Sequence, residues 1–159
     1  MVKNLLWIFL ISMVPLIELR GAIPVSQALK LPLLLSYIVC IIGNMAPVPF
    51  IFLFARKLLE WGKDRRLVGG ICRFFLMRGT SAGQKMQAKA GRGLYFALFL
   101  FVGIPLPGTG AWTGTLAASL LDLDGKKTSL AVMGGVLLAG VIMLVLTLLG
   151  FGAASAVAG

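Results

Sequence analysis

The sequence predicts an all-α integral membrane protein. It reads as an inverted repeat of a re-entrant, broken helical hairpin plus a transmembrane helix, with a basic cytoplasmic amphipathic connector between the two halves. Three observations predict this. Hydrophobic residues make up 59% of the chain and charged residues 13%, against about 45–50% and about 25% in soluble domains. Four apolar stretches stand out at 4–29, 31–54, 94–121 and 128–152. The second and fourth are near the roughly 20 residues a spanning helix needs, while the first and third are longer and interrupted at their centres.

The 159 residues are predicted to form a single membrane domain, 1–159, with repeat 1 at about 4–54, the connector at 55–92 and repeat 2 at about 93–152. Asn4–Val14 follows Lys3 and has the apolarity of a signal-peptide core, but ELRGAIP follows it rather than a small-residue cleavage site, so it is kept as membrane structure. The first stretch is broken by Pro15, Gly21 and Pro24, and the third by Pro105, Pro107, Gly108, Gly110 and Gly114. Proline removes a backbone donor and glycine permits non-helical dihedrals, so both stretches should unwind there. RGAIP at 20–24 and TGAWT at 109–113 are a weak local echo between the halves. Matching interruptions in two halves point to a binding site at the repeat interface of a transporter.

The second span contains GNMAPVPF, where Asn44, Pro47 and Pro49 mark a kink that carries a polar amide; Asn44 reads equally as kink structure or cavity lining. Ten of the 15 basic residues fall between Arg56 and Arg92, opposed only by Glu60 and Asp64. The positive-inside rule places that connector in the cytoplasm beside anionic lipid headgroups, and removes nucleic acid as the reason for the net charge of +10. Leu67, Ile71 and Phe74/Phe75 recur at helical spacing, as in a helix on the inner membrane surface, and Lys85, Lys89 and Arg92 form a basic stripe. Gly135 and Ala139 give the last span a small-residue face for packing within the chain or between copies, and a homodimer is the expected way for two spans per chain to enclose a solvated cavity. With the connector inside, two re-entrant hairpins put both termini outside; four crossings would put both inside.

Chemistry concentrates in two segments. Glu18 and Arg20 lie in an otherwise apolar stretch, where a charge at bilayer depth costs at least about 2.5–3.5 kcal/mol. Burial favours the neutral carboxyl and a neighbouring cation the charged one, so Glu18 is poised to exchange a proton. Arg20 offers a planar fork to a carboxylate or phosphate, either Glu18 itself or an anionic substrate group. A structural ion pair is the alternative, and the spacing lets the two side chains pair or point apart. In PLPGTGAWTG, Thr109, Trp112, Thr113 and Thr115 supply hydroxyls, an indole N–H and an aromatic face, while the glycines allow close approach. Helix N-termini created after the breaks would favour an anion, and Trp112 would suit an organic cation. The alternative is that these glycines and prolines serve tight hairpin packing only. No His is present, no acidic pair has metal spacing and no Ser–base constellation appears. No cofactor, metal or enzyme activity is therefore expected.

ELRGAIP, GNMAPVPF and PLPGTGAWTG, in this order, resemble the small multidrug export protein family of prokaryotic membrane proteins over about residues 4–150. The resemblance implies a multi-pass protein of the cytoplasmic (inner) membrane that exports small amphiphilic compounds. Its motif positions fall on Glu18, Arg20, Gly21, Pro24, Pro107, Gly108, Thr109, Gly110, Trp112, Thr113 and Gly114. The pattern is more distantly similar to the DedA group, implicated in moving polyprenyl phosphate or other lipids, although a second buried acidic residue and a second-hairpin arginine are missing here. The expected function is a small secondary transporter, proton- or cation-coupled. The alternatives are translocation of a phosphorylated lipid and a non-transporting membrane scaffold or assembly partner.

Overall fold

Breaks and spans fall out as a chain of helices. In the computed structural model the order is α1 (Val2–Met13), α2 (Glu18–Ala28), α3 (Leu33–Met45), α4 (Val48–Phe50), a π-helical turn (Ile51–Ala55), α5 (Arg56–Gly62), α6 (Gly69–Ala90), α7 (Leu94–Gly103), α8 (Ala111–Leu120) and α9 (Gly125–Val157). Among the described residues 83% are helical and none is in a strand. The structure describes residues 2–65, 68–90, 93–106 and 108–157, and only the backbone of 56, 86, 87, 89, 90 and 151–157. Arg66, Leu67, Arg92 and Pro107 lie outside the described residues.

Leu33–Ala55 and Gly125–Gly150 are long and apolar enough to cross a membrane, with mean hydropathies of 2.2 and 2.7. Only 28% and 33% of these windows is buried inside the protein. A soluble core helix would hide most of such a surface, so the uncovered apolar faces suit lipid.

The first break is narrower than its breakers suggested. It occupies residues 14–17 around Pro15, while Gly21 and Pro24 lie inside α2. Proline deletes one helical bond, but helices packed around α2 (α1, α3 and α9) hold the turn in place. The second break takes in Ile104–Leu106 and Gly108–Gly110 among the described residues, and Gly114 lies within α8, where an added Cβ would press on Val102 and Leu98. The GNMAPVPF kink is a turn at Ala46–Pro47 followed by the π-helical turn, where Ser119 Oγ of α8 donates to the Phe52 carbonyl at 2.8 Å.

The two halves share local geometry. After α2, Leu29, Lys30 and Leu31 N–H groups donate to Val25, Gln27 and Ser26 carbonyls. After α8, Leu121, Asp122 and Leu123 repeat these bonds on Ala117, Ser119 and Ala118. The same separation links Leu16 with Gly108 and Glu18 with Gly110, all four at positive φ. It also links the buried Ser36, Cys40, Gly43 and Asn44 of α3 with the buried Thr128, Val132, Gly135 and Val136 of α9. The RGAIP and TGAWT echo is out of this register, which pairs Arg20 with Trp112.

Packing follows the same plan: α1 lies on α3 as α7 lies on α9, and α2 reaches α9 as α8 reaches the π-helical turn. The small-residue face of α9 is used within the chain, since a Cβ on Gly135 would meet Val102 and the Phe99 carbonyl, and one on Gly140 would meet Tyr37. Tyr37 also donates from its hydroxyl to the Leu137 carbonyl at 3.0 Å. The connector helix α6 packs along α8. It does so through Gly79 and Gly83 rather than its Phe and Ile stripe, leaving Ile71, Phe74 and Met77 exposed.

Candidate functional site: two helix breaks joined by Glu18 and Arg20

Helix α8 begins where the chain turns at Gly108 (φ +82) and Gly110 (φ +133), dihedrals in the region that favours glycine. The first N–H groups of a helix have no partner inside it. Glu18, only 3% exposed, supplies one from the other half of the chain. Its Oε2 accepts from the Ala111 N–H at 3.2 Å and its Oε1 from the Trp112 N–H at 3.0 Å. A carboxylate on a helix N-terminus gains from the helix dipole as well as from the two bonds. Gly110 lets it approach, because a Cβ there would collide with both carboxylate oxygens.

Arg20 serves the opposite need. The Ile104 and Leu106 carbonyls of the break accept the Leu106 and Thr109 N–H groups, and the Arg20 guanidinium adds to them: Nη1 donates to the Leu106 carbonyl, and Nη2 to the Ile104 carbonyl at 3.4 Å and to Thr109 Oγ1 at 2.8 Å. Thr109 Oγ1 lies within 2.9 Å of the Ile104 and Leu106 carbonyls, close enough for its own hydroxyl to donate to one of them. Glu18 and Arg20 therefore point apart, each bonded to one side of the second break, and neither is the other's hydrogen-bond partner. The Trp112 indole N–H donates to the Met13 carbonyl at 3.0 Å, the last residue of α1. The bonds thus run in both directions between the two breaks.

Of the sequence-predicted residues, Glu18, Arg20, Thr109, Gly110 and Trp112 come together in this cluster. Gly108 adjoins it and packs against the Arg78 guanidinium. Gly21 and Pro24 are part of α2, and Thr113 is buried in the first turn of α8. Asn44 is 1% exposed on α3, and both ends of its amide lack a partner among the described residues, so no bond ties it to the cluster. Thr115 is likewise buried with its hydroxyl unpartnered. Sequence reasoning missed the partners, which are backbone groups of Ala111, Ile104, Leu106 and Met13, and it missed Arg78. The signal for the backbone partners was the PLPG break itself, which must leave helix ends unsatisfied.

Residues 18–142 match the family described as "Putative small multi-drug export protein". The chain belongs to that family. No curated protein and no solved structure matches it. The family match begins at Glu18, just after the first break, and it contains the second break, the connector and the first half of α9, so the whole cluster except Met13 belongs to the small multi-drug export segment.

Proposed function

We propose that the protein is a small secondary transporter of the prokaryotic inner membrane, exporting amphiphilic compounds with a proton as the coupling ion. One observation carries the reading: the buried carboxylate of Glu18 holds the N-terminus of α8 across the interface between the two broken helices. While ionised it clamps the breaks together. Once protonated it keeps neither its charge nor its pull on the helix dipole, and the α8 N-terminus is released. A proton taken up from one side would thus part the two breaks, and its loss would rejoin them. Arg20 stays bonded to the loop throughout and keeps it folded during the movement.

The repeated capping bonds, positive-φ pairs and buried positions support an inverted repeat of two re-entrant hairpins entering from opposite faces. Helices of ten to twelve residues, as in α1, α2, α7 and α8, are about 15–18 Å long and cannot cross a hydrocarbon core of about 30 Å alone. The connector then lies in the cytoplasm, both chain ends lie outside, and a homodimer supplies the remaining wall. Membrane-impermeant labelling of tags at the chain ends only from the cytoplasmic side would replace the hairpins with four crossings.

The decisive test is flux in proteoliposomes carrying an imposed pH gradient. Glu18→Gln should elute as a folded species and lose gradient-driven flux of amphiphiles. Full gradient dependence in a folded Glu18→Gln variant would refute the coupling role, and absence of any flux in the wild type would favour a scaffold.

A further inference from the structure

A cavity of 410 Å³ opens beside the second break, walled by α6, α7 and the Gly108–Thr109 turn. Its polar wall has one sign. Arg78 and Lys85 of α6 line it, with Ser81 and Thr109, and among the described lining residues there is no carboxylate. The remaining wall is apolar and includes Phe74 and Phe101. Arg78 lies over the Phe74 ring, 5.1 Å from its centroid, and against Gly108, where an added Cβ would strike its guanidinium. Thr109 is shared: it lines the cavity, and its hydroxyl accepts from Arg20. A second cavity, of 470 Å³, between the π-helical turn, α5 and the end of α8, is different in kind. There Lys57 is accompanied by Glu60 and Asp122, so the wall carries both signs.

We propose that the cavity beside the second break receives the transported compound, and that this compound is an amphiphilic anion: one phosphate-type head and an apolar tail. The proposal rests on the transporter reading of the Glu18 cluster for its transport step, and on the cavity alone for binding. Arg78, at the Gly108 end, presents the planar fork that suits a phosphate. Lys85, about two turns further along α6, adds the second positive charge. A cationic amphiphile would meet two like charges and no carboxylate, which disfavours it. Phe74 and Phe101 cover the tail, as apolar walls with few polar groups do in small-molecule sites. A head bound beside Thr109 lies against the loop that Arg20 bonds.

The test is equilibrium binding to the purified full chain in neutral detergent, with dodecyl phosphate, dodecyltrimethylammonium and inorganic phosphate as probes. Dodecyl phosphate should bind at least about tenfold more tightly than either of the others, and Arg78→Gln should weaken it about tenfold. Lys85→Gln should weaken it less, Arg78→Lys should retain part of the affinity, and Lys57→Gln, in the other cavity, should change nothing. Equal affinity for the ammonium compound would overturn the charge assignment. Equal affinity for inorganic phosphate would remove the apolar tail from the proposal. Unchanged dodecyl phosphate binding in both Arg78→Gln and Lys85→Gln would remove the cavity. Glu18→Gln separates the two readings through flux: flux that ignores Glu18 while binding still depends on Arg78 defeats the coupling role of Glu18 alone, and Glu18-dependent flux without Arg78-dependent binding defeats this proposal alone.

Discussion

The two helix breaks make the same turn with opposite chemistry. In the second, the positive-φ positions are Gly108 and Gly110, and a glycine pays little there. In the first they are Leu16 (φ +74) and Glu18 (φ +52), which cost about 1–2 kcal/mol each as L-residues in that region. Evenly matched halves would place glycine in both. The first break instead keeps a strained glutamate because its side chain is used elsewhere, on the N-terminus of α8, and Gly110, its counterpart, is empty in order to receive it. One half supplies charged side chains and the other supplies bare backbone.

The comparison breaks most severely at Gly110. Gly110→Ala puts a methyl into the Glu18 carboxylate and an L-residue at φ +133. It should cost about 3–5 kcal/mol, the range for leaving a buried charge without its partner. Thermal unfolding in detergent, or loss of monodisperse material, would report it. A normally stable Gly110→Ala would mean that the carboxylate does not need this approach.

Next in size is the pair of anchors. Arg20→Gln removes charge-assisted bonds to the Ile104 and Leu106 carbonyls and should destabilise by about 1.5–3 kcal/mol. Because Glu18 and Arg20 bond to separate parts of the second break, Glu18→Gln combined with Arg20→Gln should be at least as unstable as the weaker single variant. Recovery in the double variant would show a direct pair after all, by the logic of a double-mutant cycle.

The smallest effect sharpens the comparison. Leu16→Gly relieves a positive φ without touching the anchors, and should leave stability within about 1 kcal/mol of wild type. Gly108→Ala should lose about 1–2 kcal/mol at the equivalent position, with Arg78 displaced in addition. Similar losses in both variants would erase the distinction between the two breaks.

Composition and proline–glycine placement made the apolar helices, both breaks and the two unusual charges, Glu18 and Arg20, legible from sequence. Those signals are local: a proline lacks a donor wherever it sits, and a buried charge is costly whatever surrounds it. Whether a breaker breaks was less legible. Pro24 stays helical because α1, α3 and α9 pack around it, a fact held by residues far along the chain. The partners of the two charges were hidden for a similar reason, being backbone groups that carry no residue-specific signal. Arg78 was obscured by its company, one cation among ten in a connector whose charge already had a topological explanation. The register of the local geometry that the two halves share was masked as well. It is carried by burial and capping bonds, which pair Ser36 with Thr128 and Leu29 with Leu121, and scarcely by residue identity.

The central claim, that an ionised Glu18 clamps the two breaks and a protonated one releases them, is tested most directly by the distance between them as a function of pH. Val14 and Leu106 are exposed, one in each break, so spin labels can be attached there in a Cys40→Ala, Cys72→Ala background and measured by pulsed electron resonance in lipid. The account predicts a short, narrow distance distribution at high pH, with a longer population appearing on acidification. Glu18→Gln should show the longer population at every pH. A distribution that does not change with pH, or one that changes identically with and without the Glu18 carboxyl, would contradict it.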